Sequence, residues 1–107
     1  MDRERRRAEN EAVFRRLNEE IARLGSEFAI TQLEIVCECS DTDCLARADV
    51  DRDLYERTRR DPTQFIVLAG HESPEIEDVV AAVGELRIVR KRGEAAEVAA
   101  MLDPRRR

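Results

Sequence analysis

Cys37-Glu38-Cys39-Ser40-Asp41-Thr42-Asp43-Cys44 gathers all three cysteines of a 107-residue chain into one short segment. The only histidine, His71, follows in Ala69-Gly70-His71-Glu72. Three thiols and one imidazole are the smallest such set that closes a tetrahedral zinc site. Leu33-Glu34-Ile35-Val36-Cys37-Glu38-Cys39 alternates as a strand does, and strand residues i and i+2 share a face. Cys37 and Cys39 are therefore expected to aim at one point. Ser40-Asp41-Thr42-Asp43 is a turn by composition and would swing Cys44 back toward the pair. The expected site is Zn2+ held by Cys37, Cys39, Cys44 and His71, with Asp41 or Asp43 completing the shell if His71 does not. Four protein ligands leave no open coordination position, so the site reads as structural and no catalytic residue is assigned. The competing readings of the thiols are inert buried side chains or a redox-sensitive set.

Composition explains why such a site would matter. Charged residues make up 40% of the chain and aromatic residues 4%, with no tryptophan. Phe14, Phe28, Phe65 and Tyr55 are the only large pieces for a core otherwise built from Leu, Ile, Val and Ala. A small domain with a thin core gains from a metal or a partner subunit. The segment Met1-Asp2-Arg3-Glu4-Arg5-Arg6-Arg7 is too charged for a signal peptide, and no apolar run reaches membrane-spanning length. With an odd cysteine count, these features predict a cytoplasmic protein with reduced thiols and no membrane partner. Residues 25–86 carry five basic and fifteen acidic side chains, a net of −10 within a chain total of −5. An acidic body repels a phosphate backbone, so nucleic acid is not the expected partner. Arg105-Arg106-Arg107 reads as a solvated tail.

Outward from the cysteines, residues 3–24 read as a helix. Phe14, Leu17, Ile21, Leu24 and Phe28 follow a 3-4-3-4 spacing, with Arg and Glu on the remaining faces. Glu11/Arg15 and Glu19/Arg23 sit at the supportive i,i+4 spacing, and Gly25 is a natural C′ residue. The stripe predicts a face docked on the rest of the domain, or, alternatively, a two-heptad homodimer seam. Residues 26–32 read as a linker. Asp51 caps a second helix that must stop before Pro62, and Phe65-Ile66-Val67-Leu68 has strand length. Residues 75–82 fit a helix better than a strand. The other reading makes Gly84-Glu85 a hairpin turn between 77–83 and 86–92, with Asp78 opposite Lys91 and Glu77 opposite Arg92. Residues 94–102 form a last helix with Ala95, Val98, Ala99 and Leu102 on one face. Asp49-Val50-Asp51-Arg52-Asp53 imitates a calcium loop, but Leu54 and Arg60 occupy its glycine and glutamate positions and exclude it.

The motifs now assembled resemble a group of small actinobacterial proteins without an assigned activity. The likeness rests on Phe14-Arg15-Arg16-Leu17-Asn18-Glu19, on Cys37-Glu38-Cys39 with Cys44, and on Tyr55, Arg59, Asp61 and Pro62. It continues through Phe65, Gly70-His71-Glu72 and residues 93–98, and so spans most of the chain. Ala69 stands where the group tends to have proline and Ser40 where it has another small residue; neither removes a ligand. The resemblance implies a metal-binding module.

The chain is thus expected to be α+β, with an amphipathic helix at residues 1–25 available for dimerisation. Residues 26–107 would form a zinc-stapled domain with a small sheet of three or four strands, a cysteine knuckle and a C-terminal helix. The expected function is a zinc-stabilised protein-interaction or regulatory module whose partner is another protein or a second copy. The alternatives are a nucleic-acid-binding zinc protein using Arg87, Arg90, Lys91, Arg92 and the terminal arginines, and a cysteine-based redox switch.

Overall fold

The computed structural model of the chain describes residues 2–41 and 43–106, with side chains from Arg5 onward. The element order is α1 (Asp2–Glu27), β1 (Gln32–Val36), β2 (Arg47–Asp51), α2 (Arg52–Thr58), β3 (Gln64–Leu68), β4 (Glu77–Val83), β5 (Leu86–Lys91) and α3 (Gly93–Met101). The architecture is α+β, as expected. β1 and β2 form an antiparallel pair, and β3-β5-β4 form a second antiparallel sheet. Asp51 caps α2 as expected, its side chain accepting from the Asp53 N–H. The last helix also lies where its spacing put it.

The cysteine segment joins the two sheets. Cys37 N–H donates to Ala46 O at 2.9 Å, extending the β1–β2 ladder by one step. The next residue, Glu38, donates its N–H to Ile66 O in β3 at 3.0 Å. The chain therefore changes sheets between two neighbouring residues, and the thiols sit at that crossing. Cys37 and Cys39 pack with Phe65, Val67, Val89 and Ala99. A second cluster of Leu33, Ile35, Val50, Tyr55, Ile66 and Ile88 fills the space under β1 and β2.

Two strand assignments differ from expectation. β2 was not anticipated because Arg47-Ala48-Asp49-Val50-Asp51 is poor in β-formers; its pairing with β1 supplies what its composition lacks. Residues 77–83 are strand β4, not helix. Ile76, Val79, Val80 and Val83 follow the helical period, whereas a regular strand divides them between two faces; their β-branched side chains and the neighbouring strand-like β5, reached through Gly84 at φ 57°, override that spacing. A β-bulge between Val79 and Ala81 shifts the anticipated pairing by one, giving Glu77 opposite Lys91 and Asp78 opposite Arg90.

The first helix departs furthest from its reading. It runs on through Gly25, where a Cβ would lie 2.6 Å from Leu33 Cδ2, so this glycine serves close packing rather than termination. Termination falls to Ala29 at φ 55°, with Ile30 N–H donating to Gly25 O and Ala29 N–H to Ser26 O. Those two bonds make a Schellman cap with alanine in the left-handed position.

Nor does α1 dock through its apolar stripe. Leu17, Leu24 and Phe28 are exposed, while Phe14 and Ile21 are half-buried. The buried stripe is Ala8, Glu11, Arg15, Asn18, Ala22 and Gly25, which follows the same 3-4 spacing. Its small residues let the helix backbone approach the sheets, and its polar residues meet groups that need partners. Arg15 donates to Pro62 O and Ala99 O, both at 2.6 Å, and lies 4.4 Å from the Phe65 ring centre. Glu11 and Glu77 both pair with the buried Lys91. Glu19 accepts from Tyr55 Oη at 2.6 Å and pairs with Arg59 and Arg105. The expected i,i+4 partners thus bond elsewhere, because folding offers Glu11 and Glu19 less solvated cations. Arg105 is likewise no solvated tail, since it also reaches Glu56. The tail's Arg107 and the turn's Thr42 lie outside the described residues.

Candidate metal centre

The structure brings Cys37, Cys39, Cys44 and His71 together. One ligand atom from each lies within 4.8 Å of all the others. Cys37 Sγ is 3.7 Å and Cys44 Sγ 3.5 Å from His71 Nδ1. Zn–S bonds of 2.3 Å and Zn–N bonds of 2.0–2.1 Å at tetrahedral angles give S···N edges of about 3.5 Å and S···S edges of about 3.8 Å. The two S···N separations match that frame, and the full set, within 4.8 Å, lies close enough to draw in around one ion.

Each ligand is placed by local structure. Cys37 and Cys39 keep the same-face relation of alternate extended residues although β1 ends at Val36. Asp41 turns the chain: its Oδ1 accepts from Asp43 N–H at 2.9 Å, and its carbonyl accepts from Cys44 N–H at 3.0 Å. Leu68 O accepts from His71 N–H at 2.9 Å across a turn whose third residue, Gly70, has φ 90°. A side chain there would be strained, so Gly70 is what lets β3 hand His71 to the thiols. Asp41 is occupied with its own turn. Among the described residues, neither it nor Asp43 belongs to the group.

The thiols are set in surroundings hostile to an uncompensated anion. Burial pushes the Cys37 thiol up to about 12, against a hydrogen bond from Leu68 N–H at 3.3 Å. Burial raises Cys39 as well, partly offset by the backbone N–H of Asp41. A bound dication reverses this balance, because its charge makes deprotonated thiolates the stable form. Three thiolates and a neutral imidazole give a cluster of net charge −1. The N–H groups of Leu68 and Asp41 then point at negative sulfur.

The residues that hold the knuckle in place, Glu38 and Asn18, belong to no metal-site motif. Glu38, between the first two cysteines, faces away from them and is fully buried. One carboxylate oxygen accepts from Ile66 N–H at 2.9 Å and the other from Asn18 Nδ2 at 2.7 Å. Burial raises its pKa, opposed by those two hydrogen bonds and by the charges of Arg59 and Arg15. Asn18 also donates to Val36 O at 2.8 Å and accepts from Val36 N–H at 2.9 Å, as a neighbouring strand would. The available signal was the Ala8, Ala12 and Ala22 series around Asn18, since small residues at helical spacing mark close backbone approach.

On the outer side, Ser40 Oγ lies 3.3 Å from Ser73 Oγ and accepts from Arg7 Nε at 3.3 Å. Four of the cations that a nucleic-acid reading would use, Arg87, Arg90, Lys91 and Arg92, are engaged within the chain. Arg87 donates to Gly84 O and Leu86 O, Arg90 pairs with Asp61, Arg92 with Asp78, and Lys91 is buried. No described helix is long and apolar enough to cross a membrane. Comparison with known proteins finds no matching family model, curated protein or solved structure.

Proposed function

We propose that this chain is a zinc-stabilised protein-interaction module with a structural Cys3His site at Cys37, Cys39, Cys44 and His71. The observation that carries the reading is the convergence of four ligand atoms from two separate loops within 4.8 Å. Three soft sulfur ligands and one imidazole suit zinc over harder cations. The segments that carry the likeness to the actinobacterial group, Cys-Glu-Cys-x4-Cys and Gly-His-Glu, are the ones that meet here. When bound, the ion would tie the β1–β2 knuckle to the end of β3. The chain's own residues do the positioning: Glu38 fastens the knuckle to β3, Asn18 fastens it to α1, and Gly70 turns His71 inward.

The filled ligand set favours a structural role over catalysis. The raised thiols weigh against a redox switch, since oxidation proceeds through the thiolate. The paired arginines and the −10 body weigh against nucleic acid. A reducing cytoplasm suits the site, because it keeps the thiols free to bind metal. Metal analysis of the purified chain tests the reading. About one zinc per chain is expected, with Cys37→Ser losing both the metal and several kcal/mol of stability. A chain without stoichiometric zinc, whose Cys37→Ser variant is as stable as the parent, would sink it.

A further inference from the structure

The outward face of α1 is apolar from Val13 to Phe28. Val13 is 65% exposed, Leu17 49%, Leu24 46% and Phe28 71%, and Ile30 continues the patch at 47%. Leu24, Phe28 and Ile30 line one shallow groove and Val13 and Leu17 continue the row along the helix, an exposed apolar surface of the extent that often serves interaction. Beside it, on the solvent flank, run the exposed side chains Arg16, Glu20, Arg23 and Glu27, where Arg23 pairs with Glu20 and Glu27 of its own helix across solvent-exposed contacts. Their signs alternate, and the order reads the same backwards with the charges reversed.

We propose that this face docks a second copy of the chain, with the two α1 helices antiparallel about a two-fold axis. The inference rests on the interaction-module reading and names its partner. In a register where paired positions add to about 43, Arg16 meets Glu27 of the second copy and Glu20 meets its Arg23. The same register sets Leu17 between Leu24 and Phe28 of the copy and brings Val13 against its Ile30. One alignment therefore sets opposite charges side by side, extending the pairs within each helix, and interleaves the apolar side chains. A parallel pair would bring this charged flank toward the Asn18 and Gly25 side of the other helix, which is buried.

The exposed apolar side chains offer about 500 Å² on each copy, so the pair would bury about 1,000 Å². That lies at the lower edge of specific interfaces and fits a weak, reversible dimer. The other exposed apolar element, β4, is less suited to self-association. Its bulge at Val80 interrupts the row of backbone groups that edge pairing needs. An anionic membrane is disfavoured because Glu9, Glu20 and Glu27 alternate with the arginines on the flank.

Sedimentation equilibrium of the zinc-loaded full chain, from about 1 to 200 μM, tests the proposal. A monomer–dimer equilibrium is expected, weakened about a hundredfold or more by Leu24→Glu. Arg16→Glu should weaken it about three- to tenfold at low salt, and Arg16→Glu combined with Glu27→Arg should recover most of that loss. Helicity and zinc content measured on Leu24→Glu separate this proposal from the metal reading, because the substituted side chain is exposed and distant from the thiols. A chain monomeric at the highest concentration overturns the proposal. So does a dimer that Leu24→Glu leaves intact, or a monomer that binds anionic lipid vesicles through this face.

Discussion

Replacing Asn18 by alanine should loosen the knuckle from a distance, and its cost can be worked from the contacts. Asn18 makes three hydrogen bonds, to Val36 O, Val36 N–H and a Glu38 carboxylate oxygen, at 2.7–2.9 Å. Asn18 and Glu38 are fully buried. Removing the amide leaves an N–H, a carbonyl and a carboxylate oxygen short of partners, each at about 1–3 kcal/mol. Allowing for entry of a water, the expected loss is about 3–5 kcal/mol, a large part of an ordinary domain's stability. Asn18→Asp sharpens the test. It keeps the shape and the acceptor for Val36 N–H, but turns a donor into an acceptor and faces a second carboxylate toward Glu38. It should cost at least as much as alanine. Urea unfolding of the zinc-loaded proteins measures both, and chelator competition should show the ion leaving the variants more readily. If Asn18→Asp unfolds at the same urea concentration as the parent, the strand-mimicking role assigned to this amide is wrong.

Three further outcomes follow from other parts of the molecule. Gly25→Ala should destabilise by about 1 kcal/mol, because crowding of Leu33 outweighs the gain in helix propensity, whereas Ala29→Gly should stabilise by about 0.5–1 kcal/mol by relieving a left-handed alanine. Thermal or urea midpoints of the pair decide it; the reverse order would mean that the helix ends at Gly25. Burial raises Glu11 to about 7, against the pull of Lys91 and with a further push from Glu77. The folded state therefore holds a proton that the unfolded chain loses above about pH 4.5. This contribution is complete below that pH and is lost as pH rises to about 7, a change of order 3 kcal/mol. Glu11→Gln should flatten the stability profile in that window relative to the parent, and parallel profiles would refute the assignment. Finally, zinc added to the metal-free chain at pH 7 should release about two or more protons, because burial keeps Cys37 and Cys39 protonated without it. Proton release measured in weak buffer checks this, and binding without release would contradict it.

The grouping of Cys37, Cys39, Cys44 and His71 was far more legible in the sequence than the surface that holds it. Clustered cysteines, alternation through Cys37 and Cys39, a turn, and a glycine before His71 are local signals, and local signals survive folding. The α3 face and the Asp51 cap were legible for the same reason. β2 was not, because its strand character comes from its pairing with β1 rather than from Arg47-Ala48-Asp49-Val50-Asp51. The burial of Glu11, Arg15 and Asn18 was not legible either. Charged residues at helical spacing usually face water, and only the fold brings them Lys91, the Pro62 and Ala99 carbonyls and Val36. Two 3-4 stripes compete on α1. Hydrophobicity pointed to the one that stays exposed, while the alanines and Gly25 marked the one that docks.

X-ray absorption at the zinc edge counts the ligands of the ion in solution and so decides whether three sulfurs and one nitrogen hold it. The expected coordination is three sulfurs at about 2.3 Å and one imidazole nitrogen at about 2.0–2.1 Å, with Cys44→Ser reducing the sulfur count by one. A first shell dominated by oxygen, or a folded chain that retains no zinc for the measurement, would contradict it.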